Sequence, residues 1–520
     1  SLSDGTISNR INIVFDTSNN INARQAPGGV NISTSGINIL NSNKIAYKYQ
    51  NGSQELWVNG LKIGTTNVAT LPSGLDRLSF DSFNGGDLMY SKTKAVAVWK
   101  TALSDQELAD LTYPTPTFPT FTLDFNTIAE QFTFARGSEA TYVDAQGLIQ
   151  STASNNAPRL DYSTGAEAFL LEPQSTNLVT YSELFSDSSW TKQNATITPN
   201  NLISPSGETN ASAIFESSDF GNHFIYDTVN VTASVGHNFS IFVKKNNRRY
   251  VGIQGFYSST RGNIAFYDLD NGVLVYTFSE GSGYSVSDAK IENYGNGWYR
   301  LSANFIAPDT QIYMGICLAD DNWGTGTAYD NQYQGDDTKG AYIWGAQLEQ
   351  KSFASSYIPS AGSQTTRNQE TCINATPEIN SEEGTLYTEI SALADDGTNR
   401  VISLSDNTSS NRVLLLFKNT TNTIRGQFSV NGQSSITIDT LVVPTDFNKI
   451  AFKWNSTSVK LYVNGIEIAT TLTGYTFAAS TLNELSFDNV SGGNFFGNTK
   501  DVQVYTKALS DAELIKLTTI

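Results

Sequence analysis

Several residue types are scarce in this chain of 520 residues, and each scarcity excludes something. There are two cysteines, Cys317 and Cys372, too few for a disulfide framework and at no zinc-ligand spacing. The two histidines, His223 and His237, leave little material for histidine-based catalysis. No run of about 18 apolar residues occurs, so the sequence contains no helical membrane span. Basic residues are outnumbered, 32 Lys and Arg against 50 Asp and Glu, for a formal charge of −18. A chain of that sign repels phosphate backbones, which disfavours nucleic acid as a partner. Charged residues amount to only 16%, whereas aromatics reach 11% and hydrophobic residues 39%. Disordered chains show the opposite balance, so this one folds. Its length predicts three or four domains. Glycine and proline together make up about a tenth of the chain, turn-rich but neither collagen-like nor low-complexity.

What the chain does have is internal repetition. NKIAYKYQNGSQELWVNGLKIGTT (43–66) aligns with NKIAFKWNSTSVKLYVNGIEIATT (448–471), with 13 of 24 positions identical. LSFDSFNGGD (78–87) pairs with LSFDNVSGGN (485–494), AVAVWKTALSDQELADL (95–111) with DVQVYTKALSDAELIKL (501–517), and SLSDGTISNRI (1–11) with SLSDNTSSNRV (403–413). In the first copy Ile45, Tyr47, Tyr49, Leu56 and Val58 alternate with other residues, the period of a half-buried strand. Asn59-Gly60 and Asn464-Gly465 lie between two such runs, where positive φ at both positions closes a tight hairpin. Ser104-Asp-Gln-Glu107 and Ser510-Asp-Ala-Glu513 read as capping boxes, each opening a short amphipathic helix.

These phrases resemble the laminin-G-like, concanavalin-type sandwich modules of phage virion proteins and secreted bacterial proteins. The resemblance covers about 1–113 and 375–520, and its most specific mark is the ALSDxEL ending. In the second copy Glu383–Ile402 precedes the matched SLSD, whereas nothing precedes Ser1. A sandwich lacking a strand exposes an edge. The expectation is therefore that the chain is the C-terminal piece of a longer polypeptide, or that a neighbouring chain donates the strand.

Pro114, Pro116 and Pro119 mark a linker. Beyond it, FARGSEATYVDAQG (134–147), APRLDY (157–162) and LLEPQSTNLV (170–179) resemble a segment recurrent in tailed-phage fibre and head-spike proteins. Arg136 and Arg159 are expected to pair with Glu139, Asp144 or Glu172 as structural ion pairs. From 173 to 362, short strands alternate with turn signals such as Asp270-Asn271-Gly272 and Gly295-Asn296-Gly297. GNGWYRLS (295–302) and AYIWGAQLEQKSFASSYIPS (341–360) resemble the carbohydrate-binding-module-type jelly rolls of phage fibres and glycanases.

The expected fold is thus all-β, with tandem β-sandwiches. A laminin-G-like sandwich spans 1–113, a β connector 114–172, a jelly roll 173–362 and a second laminin-G-like sandwich 363–520.

Catalytic signatures are missing. Concanavalin-type glucanases carry Glu-x-Asp-x-x-Glu on one strand, and neither copy has it. No Gly-x-Ser-x-Gly elbow, His-Glu-x-x-His or P-loop occurs. The expectation is a binding protein rather than an enzyme. The acid-aromatic loop 319–339 carries the candidate site. Trp323, Tyr329 and Tyr333 would stack on pyranose rings, with Asp330 and Asn331 bonding the hydroxyls. Asp320, Asp321, Asp336 and Asp337 are hard oxygen donors that would suit Ca²⁺, although at no EF-hand spacing; a solvated or partner-facing loop explains the same composition. Trp190, Trp298, Trp344, Trp99 and Trp454 are expected mainly in the core. The Lys244–Arg249 cluster reads as a solvated hairpin tip, and both histidines as hydrogen-bonded surface residues.

Taken together, the resemblances imply a tail or head fibre or spike of a virion, homotrimeric, bound to other virion subunits and gripping host-surface polysaccharide. A purely structural decoration protein, the binding modules of a polysaccharide-degrading enzyme, and a secreted bacterial adhesin remain the alternatives.

Overall fold

A computed structural model describes the chain except for residues 36, 38, 40–42, 82–87, 90, 91, 94, 113–117, 259, 260, 322–331 and 491. Two compact units result, Ser1–Thr117 and Phe118–Ile520. Both are antiparallel β structures, as the alternating patterns predict.

In the first unit, one sheet runs in the order Val30–Ser33, Ile21–Ala26, Arg10–Phe15, Leu2–Ser3, Arg77–Leu78. The other holds Ile45–Gln50, Ser53–Val58 and Leu61–Thr66. Ile21, Ala23, Val30, Ile32, Leu56 and Val58 fill the space between them. Asn59 and Gly60 have φ of 52° and 85°, the mirror-image turn that matches strand twist. Ser104 and Glu107 exchange the reciprocal bonds of a capping box at the start of the helix Asp105–Thr112.

The second unit contains the jelly roll and the second sandwich. The jelly roll has two six-stranded sheets. One runs Thr191–Gln193, His223–Asn230, Gln311–Ala319, Tyr250–Ser258, Arg261–Asp268, Val273–Glu280; the other runs Ala195–Leu202, Ala211–Glu216, Gly340–Glu349, His237–Lys245, Trp298–Ile306, Ser285–Asn293. Ile241, Val251, Ile253, Leu301 and Ile316 are among the buried side chains packed between them. The sandwich repeats the first unit's five-stranded sheet as Ile436–Leu441, Thr423–Ser429, Arg412–Phe417, Arg400–Ser405, Glu484–Ser486. Its opposing sheet is larger, because Gly384–Ala392 inserts between Asn448–Trp454 and Gly497–Tyr505.

The segment 114–172 does not simply connect. Phe121–Thr122 and Ala168–Leu171 both pair with Gly497–Tyr505, and Arg159–Asp161 extends the sheet further. These strands cover an edge that would otherwise leave its backbone groups open. Cys372 lies in the strand Thr371–Ile373 and is buried in the sandwich core.

Other local expectations need correcting. His223 and His237 are buried, not on the surface; their Nδ1 atoms face Asn194 O at 2.8 Å and Val235 O at 2.9 Å. Arg248 is not part of a solvated tip, because its guanidinium clamps the buried carboxylate of Glu216 through Nε and Nη2. Trp190, Trp298, Trp344 and Trp454 are core residues as expected, whereas Trp99 is exposed.

Buried ion pairs hold the second unit together. Arg159 donates to both Glu370 carboxylate oxygens and, at 2.7 Å, to Glu172. Arg136 reaches Glu370 at 2.8 Å and Arg367 reaches Glu172 at 2.9 Å. Ser356 donates its N–H to one Glu172 oxygen and its hydroxyl to the other. Of the expected pairs, only Arg159 with Glu172 forms as read from the sequence. Burial alone would raise the Glu172 carboxyl, but Arg367, Arg159 and the Ser356 bonds overcome it and bring the pKa down to about 2. A lowered folded value means that this stabilisation is complete above the unfolded value near 4.5 and is lost as pH falls toward 2. The melting temperature of the full chain, followed by circular dichroism, is expected to drop steeply across that window. In Glu172→Gln the drop is expected to flatten; an unchanged profile would remove Glu172 as its source.

Candidate functional site: an aromatic sheet face

The jelly-roll sheet containing His223–Asn230, Gln311–Ala319 and Tyr250–Ser258 is apolar on both sides. Ile225, Val229, Val251, Ile253, Ile312, Met314 and Ile316 point into the core. The alternate positions point the other way and form three rows across the strands. Phe224, Cys317 and Gly252 make one row, Tyr226, Gly315 and Gln254 the next, and Thr228, Tyr313 and Phe256 the third.

The rings meet edge to face or tilted. Phe224 and Phe256 are 5.6 Å apart, Tyr226 and Phe256 5.4 Å, Tyr226 and Tyr313 5.1 Å, and Phe256 and Tyr313 5.3 Å. Such geometries suit the ring quadrupoles. Tyr257, 41% exposed, stacks on Tyr313 at 6.4 Å and carries the Arg261 guanidinium 4.4 Å above its ring. Asp309 steadies this corner, lying 3.8 Å from Arg261 and accepting the Tyr284 hydroxyl.

Glycines lie in two of these rows. A Cβ at Gly252 would meet Cys317 Sγ and the Phe266 ring, both at 2.7 Å. One at Gly315 would fall 1.9 Å from the Ile225 carbonyl oxygen. The face therefore combines half-buried rings, the Tyr226 and Tyr313 hydroxyls, the Gln254 amide and the Arg261 cation. That is the composition of a surface that takes a flat, partly apolar, hydroxyl-bearing ligand.

The loop candidates divide. Trp323, Tyr329, Asp330 and Asn331 lie outside the described residues. Tyr333 is buried, with its hydroxyl donated to Glu216 at 2.5 Å and its ring 4.6 Å from that of His223. Asp336 donates its backbone N–H to Glu216 at 3.0 Å, and its carboxylate accepts from Thr338 N and Oγ1. The Thr338 bonds hold that carboxyl below the usual range. Buried Glu216 thus anchors Tyr333 and Asp336 together with Arg248. Asp320 and Asp321 stand at the far end of the loop, and Asp337 follows Asp336, exposed. Among the described residues no group of three or more His, Cys, Asp or Glu is placed to hold a metal ion.

No single motif marks the aromatic face, although the sequence carries a signal of it. HFIYD, RYVGIQGFY and QIYMGIC are apolar at both strand parities, which marks a sheet covered or used on both sides.

The topology of the C-terminal sandwich agrees with its sequence class. Residues 365–515 match the concanavalin A-like lectin/glucanases superfamily. This region is a laminin-G-like lectin domain, and the first unit repeats much of its sequence and strand order. No curated protein matches the chain. Solved structures with local similarity include the CBM40 domain of the Ruminococcus gnavus IT-sialidase, at 23% identity and a TM-score of 0.24, covering 26% of this chain and 83% of that one. Another is the heptameric SAP-like pentraxin of Limulus polyphemus, at 16% identity and a TM-score of 0.23, covering 28% and 72%. Domains LG4-5 of the mouse laminin alpha1 chain show 11% identity and a TM-score of 0.20, covering 55% and 88%. No helix among the described residues is long and apolar enough to cross a membrane.

Proposed function

We propose that the protein is a glycan-binding adhesive module and not an enzyme, and that the aromatic face of its jelly roll grips the sugar. The observation that carries this reading is the cluster of Phe224, Tyr226, Phe256, Tyr257 and Tyr313 left on the outside of a sheet whose other face already fills the core. Rings in this arrangement stack on the CH faces of pyranoses, while Arg261 bonds hydroxyls or a sugar carboxylate. The lectin-superfamily match of the neighbouring sandwich supports the same class of ligand. The acid-aromatic loop, with Trp323 and Tyr329, is a second contact in this proposal, whereas buried Tyr333 and the aspartates Asp320, Asp321, Asp336 and Asp337, which form no metal-binding group among the described residues, take no part in it. Several weak sites on one particle add by avidity.

Glycan-array screening of the full chain, followed by calorimetry on the best ligand, tests this. Tyr226→Ala and Tyr313→Ala are each expected to weaken binding about tenfold, the loss of one stacked ring. Trp323→Ala separates the loop from the face. Binding to no glycan, or unchanged affinity in both tyrosine variants, sinks the reading.

The site of action we propose is the surface of a tailed-phage particle, as a homotrimeric fibre or spike attached to other virion subunits. The phrases FARGSEATYVDAQG and LLEPQSTNLV support it. Detection of the chain in purified particles, and a solution mass of three chains, are the matching measurements.

A further inference from the structure

The larger sheets of this protein end in strands that are short or that carry charge or proline, with one exception among the described residues. The edge strands Arg159–Asp161, Thr191–Gln193 and Glu484–Ser486 have three residues each. The longer edges carry Pro199 in Ala195–Leu202, Lys290 in Ser285–Asn293, Asp439 in Ile436–Leu441, Glu467 in Ile466–Leu472, Lys48 in Ile45–Gln50 and Lys62 in Leu61–Thr66. Shortness, charge and proline are the devices that keep an edge from pairing with another chain. Val273–Glu280, the last strand of the aromatic jelly-roll sheet, is eight residues long. Its sequence, VLVYTFSE, holds no proline and no charge before Glu280.

Among the described residues, its only ladder is to Arg261–Asp268 on one side. Val273, Leu274 and Val275 are 47%, 38% and 39% exposed. A single β-bulge, at Val275, interrupts the ladder, and it presents a valine where the other long edges present a charge or a proline. Tyr276 and Phe278 are half-buried on the outer face of the sheet, where they pack against Ile264 and Phe266. Apolar side chains thus stand on both sides of an edge whose backbone has one free flank.

We infer that Val273–Glu280 pairs with the same strand of a second copy of this chain, antiparallel and about a two-fold axis. A second copy is the occupant because the strand complements itself. Centred on Thr277, the pairing sets Tyr276 of each copy opposite Phe278 of the other, a cross-strand aromatic pair made twice. Glu280, the one charge of the strand, then lies at the Val273 end of the other copy, by the Asp270 turn where Lys245 is 38% exposed. Chains of charge −18 repel one another, and this edge is the long one at which two can approach without opposing like charges. Main-chain bonds join the two sheets into one, as in strand addition generally. Both aromatic faces then lie on the same side, with the two Tyr250–Ser258 strands five strand spacings apart, about 24 Å. Such a pair would present two sugar-binding faces together, but the contact stands whether or not those faces bind sugar.

Sedimentation equilibrium of the full chain beside its Thr277→Lys variant tests this. Thr277 is exposed, so the variant is expected to fold with an unchanged melting temperature. Two lysines directly opposite each other would oppose the pairing. The wild type is therefore expected at twice the mass of the variant; because the ratio is read, a threefold assembly common to both leaves the result unchanged. An equimolar mixture of Thr277→Lys and Thr277→Glu chains is expected to recover the doubled mass, since opposite charges then meet at the centre. Equal masses for the wild type and Thr277→Lys overturn the inference, and so does a mixture that stays at the mass of the variant.

Discussion

Glu370→Ala is expected to destabilise the unit Phe118–Ile520 by about 3–5 kcal/mol, the usual cost of stranding buried charges. Its carboxylate is the shared acceptor for Arg136 and Arg159, whose side chains are fully buried, and it also accepts the Glu172 backbone N–H at 2.8 Å. Removing it leaves Arg136 without a counter-charge, and Arg159 with only Glu172, which Arg367 shares, in a place water does not reach. Glu370→Gln keeps an acceptor but not the charge, so its loss should be smaller and of the same sign. The exposed pair Arg425 and Asp439 is the comparison. Arg425→Ala should cost at most about 1 kcal/mol, because solvent already screens that pair.

The network also joins residues far apart in the chain. Through Ser356 it links Glu172 of the 114–172 segment to the end of the jelly roll, and through Arg367 and Glu370 to the start of the C-terminal sandwich. Urea unfolding followed by tryptophan fluorescence should therefore show one transition for these parts in the wild type and two in Glu370→Ala. A shift below about 1 kcal/mol, with the transition still single, would show that the network contributes little.

Gly315→Ala is the second large effect. The added Cβ would fall 1.9 Å from the Ile225 carbonyl oxygen and 2.8 Å from Tyr226 Cα. Both are backbone atoms of the neighbouring strand, so relief requires the sheet itself to move. Overpacking of this kind costs about 1–3 kcal/mol, sometimes more. The displaced strand carries Phe224 and Tyr226, so glycan affinity should fall together with stability. Gly255→Ala makes the contrast. Its Cβ would meet the end of Met314 at 2.8 Å, a flexible thioether that can swing aside. Thermal melts and glycan titrations of the two variants check the pair. Equal and small effects would mean that the sheet tolerates the added methyl group.

Much of the molecule was legible before any coordinates. Asn59-Gly60 and Asn464-Gly465 adopt the positive-φ turns their side chains allow. Ser104 and Ser510 cap their helices through Glu107 and Glu513. The all-β reading and the duplication hold, as does the burial of Trp190, Trp298, Trp344 and Trp454. Each rests on residues a few positions apart. The misses have the opposite character. Arg159 and Glu370 are 211 positions apart, and no local pattern links them. His223 was read as exposed because a lone histidine in a polar stretch carries no sign of Asn194 or Tyr333 closing over it. Trp99 has the alternation of a core residue and is 46% exposed, because residues 95–99 join no sheet among the described residues.

By itself, then, the sequence determined the period-2 strands, their turns, their caps and the twofold use of one sandwich pattern, since these follow from backbone preference and short-range alternation. Only the tertiary structure decided which edges are closed, which charges share one buried knot, and that a whole row of aromatics remains outside after the core is full. Those outcomes depend on how sheets meet across hundreds of residues, and burial is a property of the neighbours that arrive rather than of the residue that waits for them.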